Sequence, residues 1–308
     1  MGSGSAPTCA NLCLILKSRP PPRLRPRPRT MRRTSVSTRR THTLPPTEPL
    51  SPHAFHHFGH VVQNPATHHG SPRLNAVDAN QGSARKVLDV TTMRNWYERS
   101  ASKKTASVSM NMFVCQPRAL SSRTEEGRHV FPVKILERHP FTPQTFIPMG
   151  LGKHDKSTCY LVVVAPTLPS TARDPTEVLP KAYPIPTERL SRAGPNPFTN
   201  DYSASTTPPS TSPSEHTPKG PGLPDLSNIR AFIARGDQAV TYGPGTWHAP
   251  MVVLGEKPIE FVVVQFANGV GVEDCQEVDV KGDGDDEGVA VDVTGVVEQM
   301  DGPARARL

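Results

Sequence analysis

The sequence is poor in the residues that would mark several large protein classes. Its five cysteines, Cys9, Cys13, Cys115, Cys159 and Cys275, are scattered and form no C-x-x-C pair. That excludes a disulfide scaffold and favours a reducing compartment. Long apolar runs are also missing. Runs such as Tyr160–Ala165 and Phe261–Val264 are of strand length, far below the roughly 18 residues a membrane-spanning helix needs. Acid is absent from the first 47 residues, which carry ten Lys or Arg. The remainder holds 25 basic against 28 acidic residues, so the formal net charge of +7 describes an arm and not a folded surface. Aromatics make up only 6%, and none interleaves with the arginines of that arm, which argues against nucleic-acid binding by base stacking.

What the chain has in excess is proline: 35 residues, about 11% against a usual 5% or so. Nine lie in residues 1–50 and fourteen in 166–224, leaving an ordinary density elsewhere. The expected organisation is a disordered basic Pro/Arg-rich extension (1–48), one domain built from 49–165 and 225–280, and a disordered Pro/Ser/Thr-rich insertion (166–224). An acidic flexible tail (281–308) completes it. Roughly 170 core residues suffice for one hydrophobic core and not for two.

Within the core, Ser51, Pro52, Phe55, Phe58 and Gly59 spell a capped short helix that ends at a glycine. His53/His57 and His56/His60 are spaced one helical turn apart. They have no acidic or thiol partner at matching spacing, so a surface helix is expected rather than a metal site. A second helical pattern covers Val90–Glu98. The rest reads as strands: Ser107–Cys115, His129–Leu136, Gln144–Pro148, Tyr160–Ala165, Ile229–Ala234, Gln238–Tyr242, Pro250–Leu254 and Ile259–Phe266. Short strands at regular spacing predict a mainly β protein, a barrel or a sandwich.

Two segments carry chemistry. Gly236–Pro250 (GDQAVTYGPGTWHAP) ends a strand in a glycine turn and starts the next with His248. It resembles the second motif of the cupin β-barrels, with one extra residue of spacing. Glu137–Met149 (ERHPFTPQTFIPM) resembles the first cupin motif in spacing, but Glu137 and His139 stand where that motif has two histidines, and Gln144 where it has a glutamate. Alternation places Glu137 and His139 on one strand face and Arg138 on the other. Glu137, His139, Gln144 and His248 form an N/O donor set suited to a borderline divalent ion, nickel or manganese among them. An ordinary hydrogen-bonded polar cluster is the competing reading.

Together with Val162–Ala165 and Leu226–Pro250 (L-x-x-I-R-A-F-I-x-x-G-x-Q-x-V-x-Y-x-x-x-x-W-H-x-P), these segments are similar to the ureidoglycolate lyase family. Weaker likeness runs through Pro49–Pro65, Ala79–Thr91 and Phe261–Phe266. The resemblance implies a cupin-like barrel, usually a homodimer, associated with nickel. The implied reaction converts (S)-ureidoglycolate to glyoxylate and urea in allantoin breakdown. Expected catalytic residues are Glu137, His139, His248 and Tyr242; Gln144, Arg230, Phe146 and Trp247 are expected to hold substrate, Arg230 through its carboxylate. The alternative is a ligand-binding cupin module or regulator without catalysis, for which no helix-turn-helix is visible. Cytosol is the expected compartment. Ala306-Arg307-Leu308 offers a peroxisomal alternative, and the arginine-rich arm a weaker mitochondrial one.

Overall fold

The computed structural model describes residues 34–37, 44–68, 75–120, 127–169, 217–281 and 288–301. Residues 170–216 of the expected insertion, most of the N-terminal extension and Ala306–Leu308 lie outside the described residues.

The fold is mainly β, as expected, and is organised around two sheets. The larger runs in the order Thr34–Ser37, Gln276–Lys281, Ile135–Arg138, Trp247–His248, Thr158–Ala165, Arg230–Ala234, Thr47–Pro49, with Val252–Gly255 also paired to Thr158–Ala165. The second has five strands in the order Gly59–Gln63, Gln238–Tyr242, Gln144–Met149, Ile259–Ala267, Ser107–Cys115. Most pairings are antiparallel, as a cupin-like barrel requires.

Thr158–Ala165 explains how the layers stack. All eight of its residues are buried. Tyr160, Val162 and Val164 point into a core shared with the second sheet, where they meet Phe146, Val240, Tyr242, Phe261 and Val263. Cys159, Leu161, Val163 and Ala165 point the other way, into a separate core with Leu136, Trp247, Val289 and Val291. A strand covered on both faces reads as an unbroken apolar run, which is what VVVA announced.

The second core corrects the sequence reading of the tail. Val289–Asp292 pairs with Val130–Val133, and Thr294–Asp301 is an α-helix; Val289, Val291 and Val293 are fully buried. Apolar residues at every second position outweigh the neighbouring acids. The expected extension is likewise partly structured, since Thr34–Ser37 pairs with Gln276–Lys281 and Thr47–Pro49 with Arg230–Ala234. The helix expected over Val90–Glu98 is replaced by irregular chain and one 3-10 turn at Tyr97–Arg99. The short helix Pro52–Phe55 forms where its signals lie, with the Ser51 hydroxyl accepting from the Ala54 amide.

Candidate active site

Glu137 lies on the strand Ile135–Arg138, with His139 just beyond its end. His248 closes the two-residue strand Trp247–His248, and its pairing partner across the sheet is Glu137 itself. Gln144 opens the strand Gln144–Met149 of the second sheet. The two sheets thus bring residues separated by more than a hundred positions to one point.

The cluster is tight. The His248 Nε2 is 3.5 Å from Glu137 Oε1 and 3.2 Å from Gln144 Oε1. The other ring nitrogen, Nδ1, donates to the Thr246 carbonyl at 2.9 Å. His139 is held the same way, its Nδ1 donating to the Asp274 carbonyl at 2.6 Å. Both imidazoles therefore turn Nε2 towards the cluster with Nδ1 already committed. His139 Nε2 is buried without a hydrogen-bond partner, and His248 Nε2 faces two oxygens at once. A positive centre among these atoms, a proton or a metal ion, satisfies both conditions. Glu137, His139 and His248 offer ligand atoms all within 4.8 Å of one another, so the donor set fits a divalent ion.

Electrostatics follow burial. Burial pushes the His139 imidazolium down to about 4, helped by the nearby charge of His248. For Glu137, burial acts upward, but the hydrogen bond and charge of His248, with His139 behind them, outweigh it and hold the carboxyl below its usual range. At neutral pH the cluster therefore contains a carboxylate and a neutral His139. The Tyr242 hydroxyl is driven well above its normal range by burial and by Glu137. Its ring stacks on His248, centroids 3.9 Å apart and planes within 10°. Tyr242 thus fixes the imidazole by its face.

Above the cluster lies a cavity of about 260 Å³. Glu137, His139, Gln144 and Phe146 line it, with Asn111, Phe113 and Cys115 from one neighbouring strand and Gln265 from another. His248, 1% exposed, sits beneath this lining and reaches the cavity through Glu137 and Gln144. Among the described residues the lining holds no lysine or arginine; its polar groups beyond the cluster are the amides of Asn111 and Gln265 and the Cys115 thiol. Gln265 accepts from Gln144 Nε2 at 2.7 Å and so orients that amide. Asn111 and Gln265 escaped the sequence reading because nothing in the local pattern distinguishes an inward amide from an outward one. Only the register of Ile259–Ala267, which sets Val263 opposite Asn111 and Gln265 opposite Ser109, puts both on the interior face.

Two residues expected to hold substrate, Trp247 and Arg230, lie away from this cavity. Trp247 points away from His248, as adjacent strand residues must. It sits in the outer core, donates to the Gly222 carbonyl and carries the Arg138 guanidinium 4.4 Å above its ring. Arg230 contacts both carboxylate oxygens of Glu48 at 2.7 and 2.8 Å and donates to the Ala54 carbonyl at 2.9 Å. It borders a different, larger depression beside His57 and Lys219. Its partner Glu48 comes from the parallel strand that pairs alongside, which the sequence did not announce. Phe146, by contrast, lines the cavity, edge-on to Tyr242 and Phe261.

A two-sheet, cupin-like β fold with histidines and a carboxylate converging under a small cavity defines the class: a barrel protein with an interior polar site. The comparisons specify it further. The family model for ureidoglycolate lyase matches residues 41–284. The chain is 31% identical over 227 residues to the ureidoglycolate lyase of Schizosaccharomyces pombe, covering 74% of this chain and 86% of that one. To the Saccharomyces cerevisiae ureidoglycolate lyase it is 30% identical over 225 residues, 71% of this chain and 84% of that one. A Burkholderia mallei (strain NCTC 10229) ureidoglycolate lyase is 25% identical over 217 residues, 70% and 79% of the two chains. The chain belongs to the ureidoglycolate lyase family.

Proposed function

We propose that this protein is a ureidoglycolate lyase that cleaves (S)-ureidoglycolate to glyoxylate and urea in the cavity above Glu137, His139 and Gln144. The observation that carries the reading is the ionised, half-shielded Glu137 at the cavity floor, backed by His248, in a chain of this family. The substrate is a carbinolamide bearing a carboxylate. Cleavage removes the hydroxyl proton, breaks the C–N bond as the carbonyl forms, and protonates the departing urea nitrogen; no water is consumed. Glu137 takes the hydroxyl proton and returns it to the nitrogen, with His248 stabilising each charge state across 3.5 Å. His139 is neutral and its Nδ1 proton is committed to Asp274, so it serves as a lone-pair donor and not as the acid. Gln144, held by Gln265, and Asn111 orient the urea and carboxylate groups by hydrogen bonds, in place of Arg230.

Glu137, His139 and His248 would hold a divalent ion, nickel or manganese, with Gln144 beside it; such an ion supplies Lewis acidity that lowers the pKa of the substrate hydroxyl. Two copies act together as a homodimer, and no nucleic-acid partner is involved. Among the described residues no helix is long and apolar enough to cross a membrane. Cytosol is the proposed compartment, with the Ala306–Leu308 address as the peroxisomal alternative.

The test is product release from (S)-ureidoglycolate by the full chain, before and after chelation and after nickel or manganese is restored. Glyoxylate and urea in equal amounts are expected, with Glu137→Gln slower by about 10²–10⁴-fold. Ammonia in place of urea would mean a hydrolase. No turnover with any metal would return the cavity to ligand binding. Calorimetric titration of the metal into wild type and Glu137→Gln reports the ion site independently of turnover.

A further inference from the structure

Residues 96–102 reach the surroundings of His139 from two sides, from outside the cavity lining. On one side they meet the chain that follows His139: the Trp96 amide donates to the Phe141 carbonyl at 2.9 Å, and the Tyr97 ring packs on Phe141, centroids 5.8 Å apart. On the other they grip the short helix Gly271–Asp274, whose last carbonyl receives the His139 proton. Two consecutive carboxylates make that grip. Glu273, buried, accepts from the Ser102 amide at 2.7 Å and from its hydroxyl at 2.6 Å. Asp274 accepts from the Tyr97 hydroxyl at 2.7 Å. That hydroxyl also lies 3.2 Å from the carbonyl of Phe266, on the strand Ile259–Ala267.

We propose that Tyr97 is a positioning residue for His139: acting through Asp274, it holds the imidazole as the Nδ1–H tautomer and leaves the Nε2 lone pair to the site. A carbonyl can only accept, so the contact between Nδ1 and the Asp274 carbonyl requires the proton on Nδ1. A free neutral histidine favours the other tautomer, so the protein supplies the bias, and here one bond supplies it. That bond depends on where the Asp274 carbonyl stands. The Asp274 carboxylate closes its own turn by accepting from the Asn268 and Gly269 amides, and the Tyr97 hydroxyl ties this turn to the strand beside it. Tyr97 is 2% exposed, its ring held against Phe141. Burial and the Asp274 carboxylate push the phenol well above its ordinary range, so the hydroxyl stays a donor.

The tautomer decides what His139 can do. With Nε2 bare, the ring is a ligand for a divalent ion or an acceptor for a substrate N–H or O–H. With the proton on Nε2 it becomes a donor beside the Glu137 carboxylate, and the lone pair is lost to the site. The proposal deepens the site described above but does not depend on the lyase reading, and the two fail separately, because both measurements below are made without substrate.

The test is a two-bond proton–nitrogen NMR spectrum of the imidazoles in the nitrogen-labelled full chain at about pH 7.5 without added metal, His139 being identified by His139→Gln. Wild type is expected to carry the His139 proton on Nδ1. Tyr97→Phe, which keeps the ring on Phe141, is expected to move it towards Nε2. Calorimetric titration with nickel is the second readout, with binding about tenfold weaker or more in Tyr97→Phe; should wild type take no nickel, the tautomer decides alone. Tyr160→Phe controls for a merely structural loss, since it removes another buried hydroxyl, one that donates to the Gln238 carbonyl at 2.6 Å. It should lower the melting temperature and leave both readouts as in wild type. If Tyr97→Phe does not fold, Asp274→Ala removes the acceptor of the Tyr97 hydroxyl while keeping the backbone carbonyl, and the same move is expected. An Nε2–H His139 in wild type, a wild-type tautomer or nickel affinity in the folded variant, or the same move in Tyr160→Phe overturns the proposal.

Discussion

His139 gives its Nδ1 proton to the backbone carbonyl of Asp274 across 2.6 Å, and that single bond fixes which nitrogen faces the cavity. Asp274 is itself anchored: its carboxylate accepts from the Tyr97 hydroxyl at 2.7 Å and from the Asn268 and Gly269 amides at 2.8 Å each. His139 is thus positioned by the short helix Gly271–Asp274, whose last residue is itself tied down.

Stability should fall with acid because of His139. The unfolded chain takes up this proton near pH 6.5, the folded one only near 4. Between those values the unfolded state binds more protons, so stability rises with pH across the window and is level above it. Urea titrations at pH 7.5 and 5 should show His139 costing wild type about 2 kcal/mol at the lower pH. His139→Gln should lose correspondingly less over the same interval. Equal losses would remove His139 as the cause. The lowered Glu137 acts in the opposite range, contributing above its unfolded value and being lost only as pH falls further.

Replacing Gln265 should damage binding more than chemistry. In Gln265→Leu the Gln144 amide loses its acceptor and can rotate away from the cavity. KM should rise about tenfold, the effect of roughly 1.4 kcal/mol, with kcat within a few-fold of wild type. An equal fall in kcat and kcat/KM would instead place Gln144 in the bond-breaking step.

Arg230 should behave as a structural residue. Its side chain and that of Glu48 are partly exposed, so the pair is worth only about 1 kcal/mol. Arg230→Met and Glu48→Gln should each lower the unfolding free energy by that order, leave KM unchanged, and not add when combined. A large rise in KM for Arg230→Met alone would restore it to the substrate.

Ending the chain at residue 287 should abolish folding. It removes Val289, Val291 and Val293, all fully buried, and Val296 beside them. At about 1.5–3 kcal/mol each, their loss rivals the whole stability of a typical domain. Ending it after Asp301 should leave a cooperative thermal transition unchanged.

The strands and the two motifs were legible because alternation, glycine turns and β-branched runs are local signals. Gln238–Tyr242 appears with the expected bounds, and Gln144–Met149 differs by one residue. Glu137, His139, Gln144 and His248 were legible as a group because both motifs mark strand ends at a barrel mouth. The roles of Trp247 and Arg230 were not, since each depends on the neighbouring strand. Val289–Asp292 stayed hidden because its valines sit among acids and its partner, Val130–Val133, lies more than 150 residues earlier.

Glu137 and His248 are 111 positions apart in the chain, and Gln144 reaches them from the opposite sheet. No local piece of the protein contains even a crude version of the reaction chamber. Long-range contacts of this kind close late and slowly, so a partly folded chain is catalytically blank rather than weakly active. Whatever population of this protein is active is, to the same extent, completely folded.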